Sequence, residues 1–346
     1  MSQNHWLSQN KGLKHMIIVT GGAGFIGSAI VWQLNKMGRN DIIIVDSLGN
    51  SDKWKNLVAL KYSDYIEKDD FMQLVVAEQL HEYYGLADDE LEAIIHMGAC
   101  SSTTQLDARY LIHNNFEYTK QLALLALDHD ARFIYASSAA TYGEGEHGFI
   151  DDESKLDSLR PLNMYGYSKQ MFDQWAQRQG ILDQIVGLKF FNVFGPNEYH
   201  KGDMSSLVIK AYKQILDTGK IGLFKSYRPE YADGEQMRDF VYVKDVVNMS
   251  LYFLDNPEAN GLYNIGSSGA NSWNSLATAI FAALDKETNI EYVEMPDSLR
   301  DKYQYYTCSD ISKLQATGYT GEQLSLQEAV RDYVVNYLVP NRYLGD

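Results

Sequence analysis

Two cysteines in 346 residues leave no material for a disulfide framework, and Cys100 and Cys308 fit a reducing compartment, read here as the cytoplasm. Proline is nearly as sparse. All six lie at or beyond Pro161, so none interrupts a strand or helix in the first half. No stretch approaches the roughly 18 consecutive apolar residues of a membrane span. Basic residues are outnumbered, 30 Lys and Arg against 46 Asp and Glu, and the net charge of −16 argues against a nucleic-acid or anionic-membrane surface. It also sets a condition: any phosphate-bearing ligand has to be met by positive groups gathered locally. The eight histidines show no metal-ligand spacing with cysteine or acidic residues, so no metal is expected. Residues 1–15 are polar and lack an apolar h-region, which reads as a tail rather than a signal peptide.

Against these absences stands one dense stretch, Met16-Ile-Ile-Val-Thr-Gly-Gly-Ala-Gly-Phe-Ile-Gly27. Residues 16–19 suit a strand buried on both faces. Gly21, Gly24 and Gly27 then lead through a tight turn into a helix over 25–37. Gly21 can take backbone angles closed to other residues, Gly24 lets the chain approach a pyrophosphate, and Gly27 lets the helix lie against the strand. The helix N-terminus favours negative charge. A second apolar run, Ile42-Ile-Ile-Val45, ends in Asp46, nineteen positions after Gly27, where an acid can reach an adenosine ribose. The stretch therefore predicts a dinucleotide site.

Further strands are expected at 41–45, 65–67, 93–96, 132–136 and 185–189, with helices at 69–84, 104–128 and 163–179. This alternation predicts an α/β fold, a Rossmann-type doubly wound parallel sheet. The second half is punctuated by glycine, proline and asparagine at 195–197, 228–234, 256–257 and 266–271. Helices are expected there at 204–218, 244–254, 273–284 and 325–338, and strands at 236–241, 262–265 and 290–294. The organisation expected is a tail over 1–15, a dinucleotide-binding domain over 16–190 to which later segments return, and a smaller α/β substrate domain over 191–346.

Chemistry concentrates in two places. Tyr165-Gly-Tyr-Ser-Lys169 sets a tyrosine and a lysine on one helix face. An adjacent ammonium favours the phenolate, and the lysine can also hold a nicotinamide ribose. With 25 tyrosines in the chain, the pair can also be mere neighbours on an exposed turn. Phe133-Ile-Tyr-Ala-Ser-Ser-Ala-Ala-Thr-Tyr-Gly143 reads as a strand entering a small-residue loop. It places Ser138 at the strand's carboxyl end, where ligands bind in parallel sheets and a hydroxyl can bond the reacting oxygen.

With Thr20-Gly-Gly-Ala-Gly-Phe-Ile-Gly27, Ser138 and Tyr165-x-x-x-Lys169, the chain resembles the extended short-chain dehydrogenase/reductase superfamily. Within it, the chain is similar to the family of ADP-L-glycero-D-manno-heptose 6-epimerases, from residue 16 to about 337. His96-Met-Gly-Ala-Cys-Ser-Ser-Thr-Thr104, Phe191-Asn-Val-Phe-Gly-Pro196, His200-Lys-Gly202 and Arg238-Asp-Phe-Val-Tyr-Val243 look like that family's signatures. The resemblance implies a nicotinamide cofactor held by Phe25, Ile26, Asp46, Ser47, Lys53 and Lys68. It adds the loop Met97, Gly98, Ala99, Cys100 and Ser101, then Asn114, Lys169 and Val193. For the nucleotide sugar it implies Asn192, Asp203, Lys210, Phe224, Lys225, Ser226, Tyr227, Arg238 and Tyr303. Tyr165 and Lys201 fall at its acid/base positions. The chain departs from the pattern at Asp203, where serine is usual, and at Lys210, where histidine is usual. The stretch 225–236 is also longer. The family further implies a substrate of ADP-heptose for lipopolysaccharide synthesis, and a homo-oligomer, a pentamer by analogy.

Inverting a carbinol carbon that has no neighbouring carbonyl needs a redox detour: hydride leaves C6 and returns to the other face. Protons are then handled from two directions, by Tyr165 and by Lys201. The alternative for Lys201 is a phosphate contact or a surface lysine. A lysine base requires a lowered pKa, which burial beside other cations gives. Asp46 suits the 2′-hydroxyl of NAD, whereas Lys53 and Lys68, with Ser47, suit the 2′-phosphate of NADP. NADP is the expectation. Arg238 can pair with a diphosphate or with Asp239 or Asp245. Cys100 has no visible base partner and suits small buried packing better than nucleophilic work, and His96 is expected to be packed. Dehydratases of this frame carry Asp-Glu where Ala139 and Ala140 stand, which argues against dehydration. A UDP-hexose 4-epimerase shares Ser, Tyr and Lys but not Lys201. A non-catalytic NADP sensor would be expected to lose Tyr165 or Lys169.

Overall fold

The structure is a computed structural model and describes residues 16–85, 90–300 and 303–346, with backbone alone for 298 and 299. The tail over 1–15 lies outside the described residues. Six segments form the strands β1 (Met16–Thr20), β2 (Ile42–Asp46), β3 (Asp64–Glu67), β4 (Leu91–His96), β5 (Arg132–Ser138) and β6 (Val186–Phe190). After them come β7 (Asn192–Phe194), β8 (Ile221–Phe224), β9 (Met237–Tyr242), β10 (Gly261–Ile265), β11 (Ala270–Ser272) and β12 (Ile290–Val293). Seven make one parallel sheet in the order β10-β6-β5-β4-β1-β2-β3. This is the doubly wound order with one extra strand, β10, supplied from far along the chain. Because β-branched residues fill β1 and β2 and both faces are covered, every residue of these strands is buried. Two apolar clusters pack against the sheet.

The helix Phe25–Lys36 packs back on β1, and a Cβ on Gly27 would stand 2.1 Å from the Gly21 carbonyl oxygen. Gly21 itself has φ 65°, and a Cβ there would stand 2.6 Å from the Gly98 nitrogen. Several expected helices differ in detail. The span 69–84 is two helices, Lys68–Val76 and Leu80–Tyr84, broken where Glu78 turns left-handed at φ 56°. The span 104–128 begins at Ala108, capped by Asp107, and contains a π turn at Ile112–Glu117. The span 204–218 starts at Leu207, because residues 199–204 form a tight turn kinked at Gly202, φ 52°. Three short strands, β7, β8 and β11, lie where the sequence reading placed none. β7 and β11 flank β9, and β8 pairs with β12.

The helix Met164–Gln179 begins where the Asn163 side chain accepts the Gly166 amide at 2.8 Å and ends at left-handed Gly180. Gly166 lets its first turn lie against the turn after β5, since a Cβ there would meet the Ala140 carbonyl oxygen at 2.7 Å. Gly166→Ala should therefore lower stability by about 1–3 kcal/mol, overpacking outweighing alanine's helix preference. An unchanged or raised urea midpoint would contradict this close approach.

Candidate active site

Beyond the carboxyl ends of β1, β2, β4 and β5 opens a cleft of about 920 Å³. Its floor is the glycine turn. Gly24 caps the helix Phe25–Lys36 without a side-chain acceptor, and no acidic residue occupies the first turn. Positive amide dipoles therefore face the cleft uncompensated by a side chain, which fits a dinucleotide pyrophosphate. Asp46 lies at the cleft edge with its carboxylate engaged. Oδ2 accepts the Ala23 amide at 2.9 Å, and Oδ1 accepts the Ser47 amide and the Lys53 ammonium, both at 2.7 Å. Lys53 thus lies in the cleft paired with the acid. Ser47 and Lys68 do not line it. Ser47 gives its carbonyl to Lys53, and Lys68 pairs with Asp69 at 2.6 Å on the surface.

The loop 97–101 follows β4 into the cleft. Its shape is set by Asn115, which accepts the Cys100 amide at 2.8 Å and donates to the Cys100 carbonyl at 3.0 Å. The same side-chain amide also donates to Ser168 on the helix Met164–Gln179, at 3.0 Å. The expected Asn114 points elsewhere, donating to the Tyr110 carbonyl at 2.9 Å. The sequence marks two adjacent asparagines, and only burial tells which one serves the loop. Cys100 is half-buried in the cleft wall, not packed inside. His96 is fully buried between Thr20 at 2.5 Å and Thr119 at 2.9 Å, and stacks on Tyr118 and Phe133. Since Thr119 gives its proton to the Asn115 carbonyl, the His96 ring donates from Nε2 and accepts at Nδ1, the neutral tautomer.

Burial pushes His96 down to about 3 and, with Lys53 and Lys201 beside it, His200 down to about 4. Unfolded histidines protonate near 6.5, so between that pH and about 4 the unfolded chain binds more protons. The stability these two histidines contribute is therefore full above pH 6.5 and should be lost as pH drops through this window. Urea midpoints measured from neutral pH downward should decline, and the decline should flatten in His96→Asn. An equally steep decline in that variant would rule out His96 as a source.

Ser138, Tyr165 and Lys169 converge at the end of β5. Ser138 Oγ accepts the Ala140 amide at 3.1 Å, and the Lys169 ammonium donates to the Ala136 carbonyl at 2.7 Å. Tyr165 is raised above the ordinary phenol range because burial outweighs the downward pull of the Ser138 hydroxyl. From the sequence, Lys169 is expected to favour the phenolate. The cleft instead desolvates both groups, and Lys169 is itself pulled down to about 8, chiefly by burial. Opposite them, the turn 199–204 brings Lys201 into the cleft, its ammonium 5.3 Å from the Phe25 ring centre. Burial and then Lys210 lower its pKa against the upward pull of Glu198.

The far end of the cleft is aromatic. Phe224 meets Tyr303 edge-on, and the Trp273 indole donates to the Tyr303 hydroxyl at 2.8 Å. Phe240 packs on Trp273. A flat base can stack there. Arg238 does not line the cleft: it is buried 5.2 Å from the Tyr303 ring centre and donates to the carbonyls of Met237 and Gln304. Its possible partners are engaged elsewhere, Asp239 with Ser267 and Ser309, and Asp245 with the Leu324 amide. Asn192, Val193 and Lys210 also line the cleft. Asp203 is exposed and offers Lys210 only its carbonyl, at 2.6 Å. Lys225 and Tyr227 turn outward to Glu294, and Ser226 binds Asp233 within its own loop, so these three do not line the cleft. Trp273, Phe240 and His200 were given no role from the sequence. Trp273 enters the cleft only because β11 pairs with β9 and starts its helix there.

A family model described as NAD dependent epimerase/dehydratase family matches residues 17–266. The ADP-L-glycero-D-manno-heptose-6-epimerase of Nitratidesulfovibrio vulgaris (strain DP4) is 53% identical over 323 residues, 93% of this chain and 98% of that protein. Its namesake from Fusobacterium nucleatum is 51% identical, again over 93% and 98%. Among solved structures, Helicobacter pylori ADP-L-glycero-D-manno-heptose-6-epimerase superposes with a TM-score of 0.76 at 27% identity, covering 94% of this chain and 96% of that one.

Proposed function

The chain belongs to the NAD dependent epimerase/dehydratase family, and on that premise we propose that it converts ADP-D-glycero-D-manno-heptose to ADP-L-glycero-D-manno-heptose. The observation that carries this reading is the placement of Lys201, a lysine of lowered pKa, in the cleft that also holds Ser138, Tyr165 and Lys169. Such an arrangement offers proton transfer from two segments, as inversion requires.

A bound nicotinamide dinucleotide supplies reversible acceptance of a hydride. The chain's own residues do the rest. The glycine turn and Lys169 hold the cofactor, and the aromatic end, backed by Arg238, takes the nucleotide of the sugar. Tyr165 Oη exchanges a proton with the C6 oxygen in one orientation of the heptose, with Ser138 Oγ bonded to the same oxygen. Lys201 Nζ serves that oxygen in the rotated orientation. Ala139 and Ala140 offer no acid for dehydration. NADP is the proposed cofactor, because Lys53 stands in the cleft where it can exchange Asp46 for a 2′-phosphate. Residues beyond 190 contribute mainly to sugar-nucleotide binding. The free thiols suit a cytoplasmic enzyme, read by family likeness as a homo-oligomer. Among the described residues no helix is long and apolar enough to cross a membrane.

Incubation with ADP-D-glycero-D-manno-heptose and NADP or NAD, beside UDP-glucose, tests the reading by NMR. Inversion at C6 with NADP is expected. Turnover of UDP-glucose alone would overturn it.

A further inference from the structure

Asp173 and Lys189 meet beneath the catalytic residues, 0% and 1% exposed, with Asp173 one helical turn beyond Lys169. Asp173 Oδ1 accepts the Tyr135 hydroxyl at 2.8 Å. Its Oδ2 accepts the Ser137 hydroxyl and the Lys189 ammonium, each at 2.8 Å. Lys189 also donates to Thr141 at 2.8 Å, and Thr141 donates to the Ser138 carbonyl at 2.8 Å. One carboxylate thus ties together the helix of Tyr165 and Lys169, the strand β5 that ends at Ser138, the strand β6, and the turn 139–142. Lys169 closes the same frame, since its acceptor Ala136 lies on β5 between Tyr135 and Ser137.

Stability alone does not call for ions here, because well-packed apolar residues hold such elements at least as well as a buried pair. A charge does something that packing does not: it acts on Lys169. We propose that Asp173, held by Lys189, is a positioning residue for the reaction, locking Tyr165 and Lys169 to the strand end at Ser138 and supplying the counter-charge that keeps Lys169 an ammonium. The groups facing Lys169 are Asp173 from its own helix, Cys100 from the loop after β4, and neutral His96 from β4. Burial pulls Lys169 down, and Asp173 is the first of the groups holding it up.

The proposal rests on the reading of Ser138, Tyr165 and Lys169 as the catalytic set. Its test compares the wild type, Asp173→Asn and Asp173→Asn/Lys189→Met, the last replacing the pair with a neutral one. Both variants should lose about 10- to 100-fold in kcat with little change in KM, the cost of a displaced catalytic group. The alkaline limb of the rate profile should move down by about one pH unit. The Lys169 ¹³Cε resonance, assigned with Lys169→Arg, should titrate lower by the same amount, and the double variant should melt close to the wild type. Ser137→Ala, which keeps the charge, should leave the limb in place. A folded variant with wild-type kcat and titration overturns the proposal. Failure of both variants to fold overturns it too, since the pair would then be structural. A wild type inactive on ADP-heptose, with the Lys169 titration displaced as expected, would sink the substrate reading alone.

Discussion

Tyr165→Phe is expected to lower kcat by about 10²- to 10⁴-fold, the range lost with a positioned acid/base group. The substitution removes one oxygen from a buried ring and leaves its surroundings standing. Asn163 still caps the helix, Gly166 still sits against Ala140, and Lys169 still donates to Ala136. Cofactor affinity and KM should therefore change little. Burial raises the Tyr165 phenol above its ordinary range, so it can accept a proton only when positive charge gathers beside it. Loss of cofactor binding in proportion to the loss of rate would make Tyr165 a binding residue. Unchanged turnover would remove it from the mechanism.

Lys201→Met should cost about 10²-fold in kcat with a smaller effect on KM. Every turnover passes through both orientations of the sugar, and an isomerase cannot alter its equilibrium, so kcat/KM should fall equally in both directions. The two variants differ in a single half-turnover, followed by the ultraviolet absorbance of reduced nicotinamide. Lys201→Met should still oxidise one epimer and stall with the other, and Tyr165→Phe should show the opposite preference. A rise in KM at unchanged kcat would mean that Lys201 only contacts phosphate.

The main sheet was legible in the sequence because most of its strands are short, largely apolar runs, and because Gly21 and Gly27 are demanded by close contacts that alanine would violate. The site's inner half was legible for the same reason: strand β5 and the helix Met164–Gln179 carry their chemistry in fixed local spacing. The outer half was not. Lys68, Lys225 and Tyr227 sit at positions implied by family likeness, yet each turns to a nearby carboxylate, Asp69 or Glu294. Nothing local in the sequence ranks that partner above a ligand. Trp273 and Phe240 reach the cleft through pairing between distant strands, and Asn115 differs from Asn114 only in which way the helix turns it. The upward shift of Tyr165 was missed because neighbouring charge can be read from spacing, whereas desolvation belongs to the closed cleft.

In the proposed reaction hydride leaves C6 of the heptose and returns to the same carbon from the other face. ADP-D-glycero-D-manno-heptose carrying deuterium at C6 tests it most directly, with the product analysed by NMR in ordinary water. The L-epimer retaining its deuterium at an inverted C6 is the predicted result. Replacement of that deuterium by solvent hydrogen would contradict it.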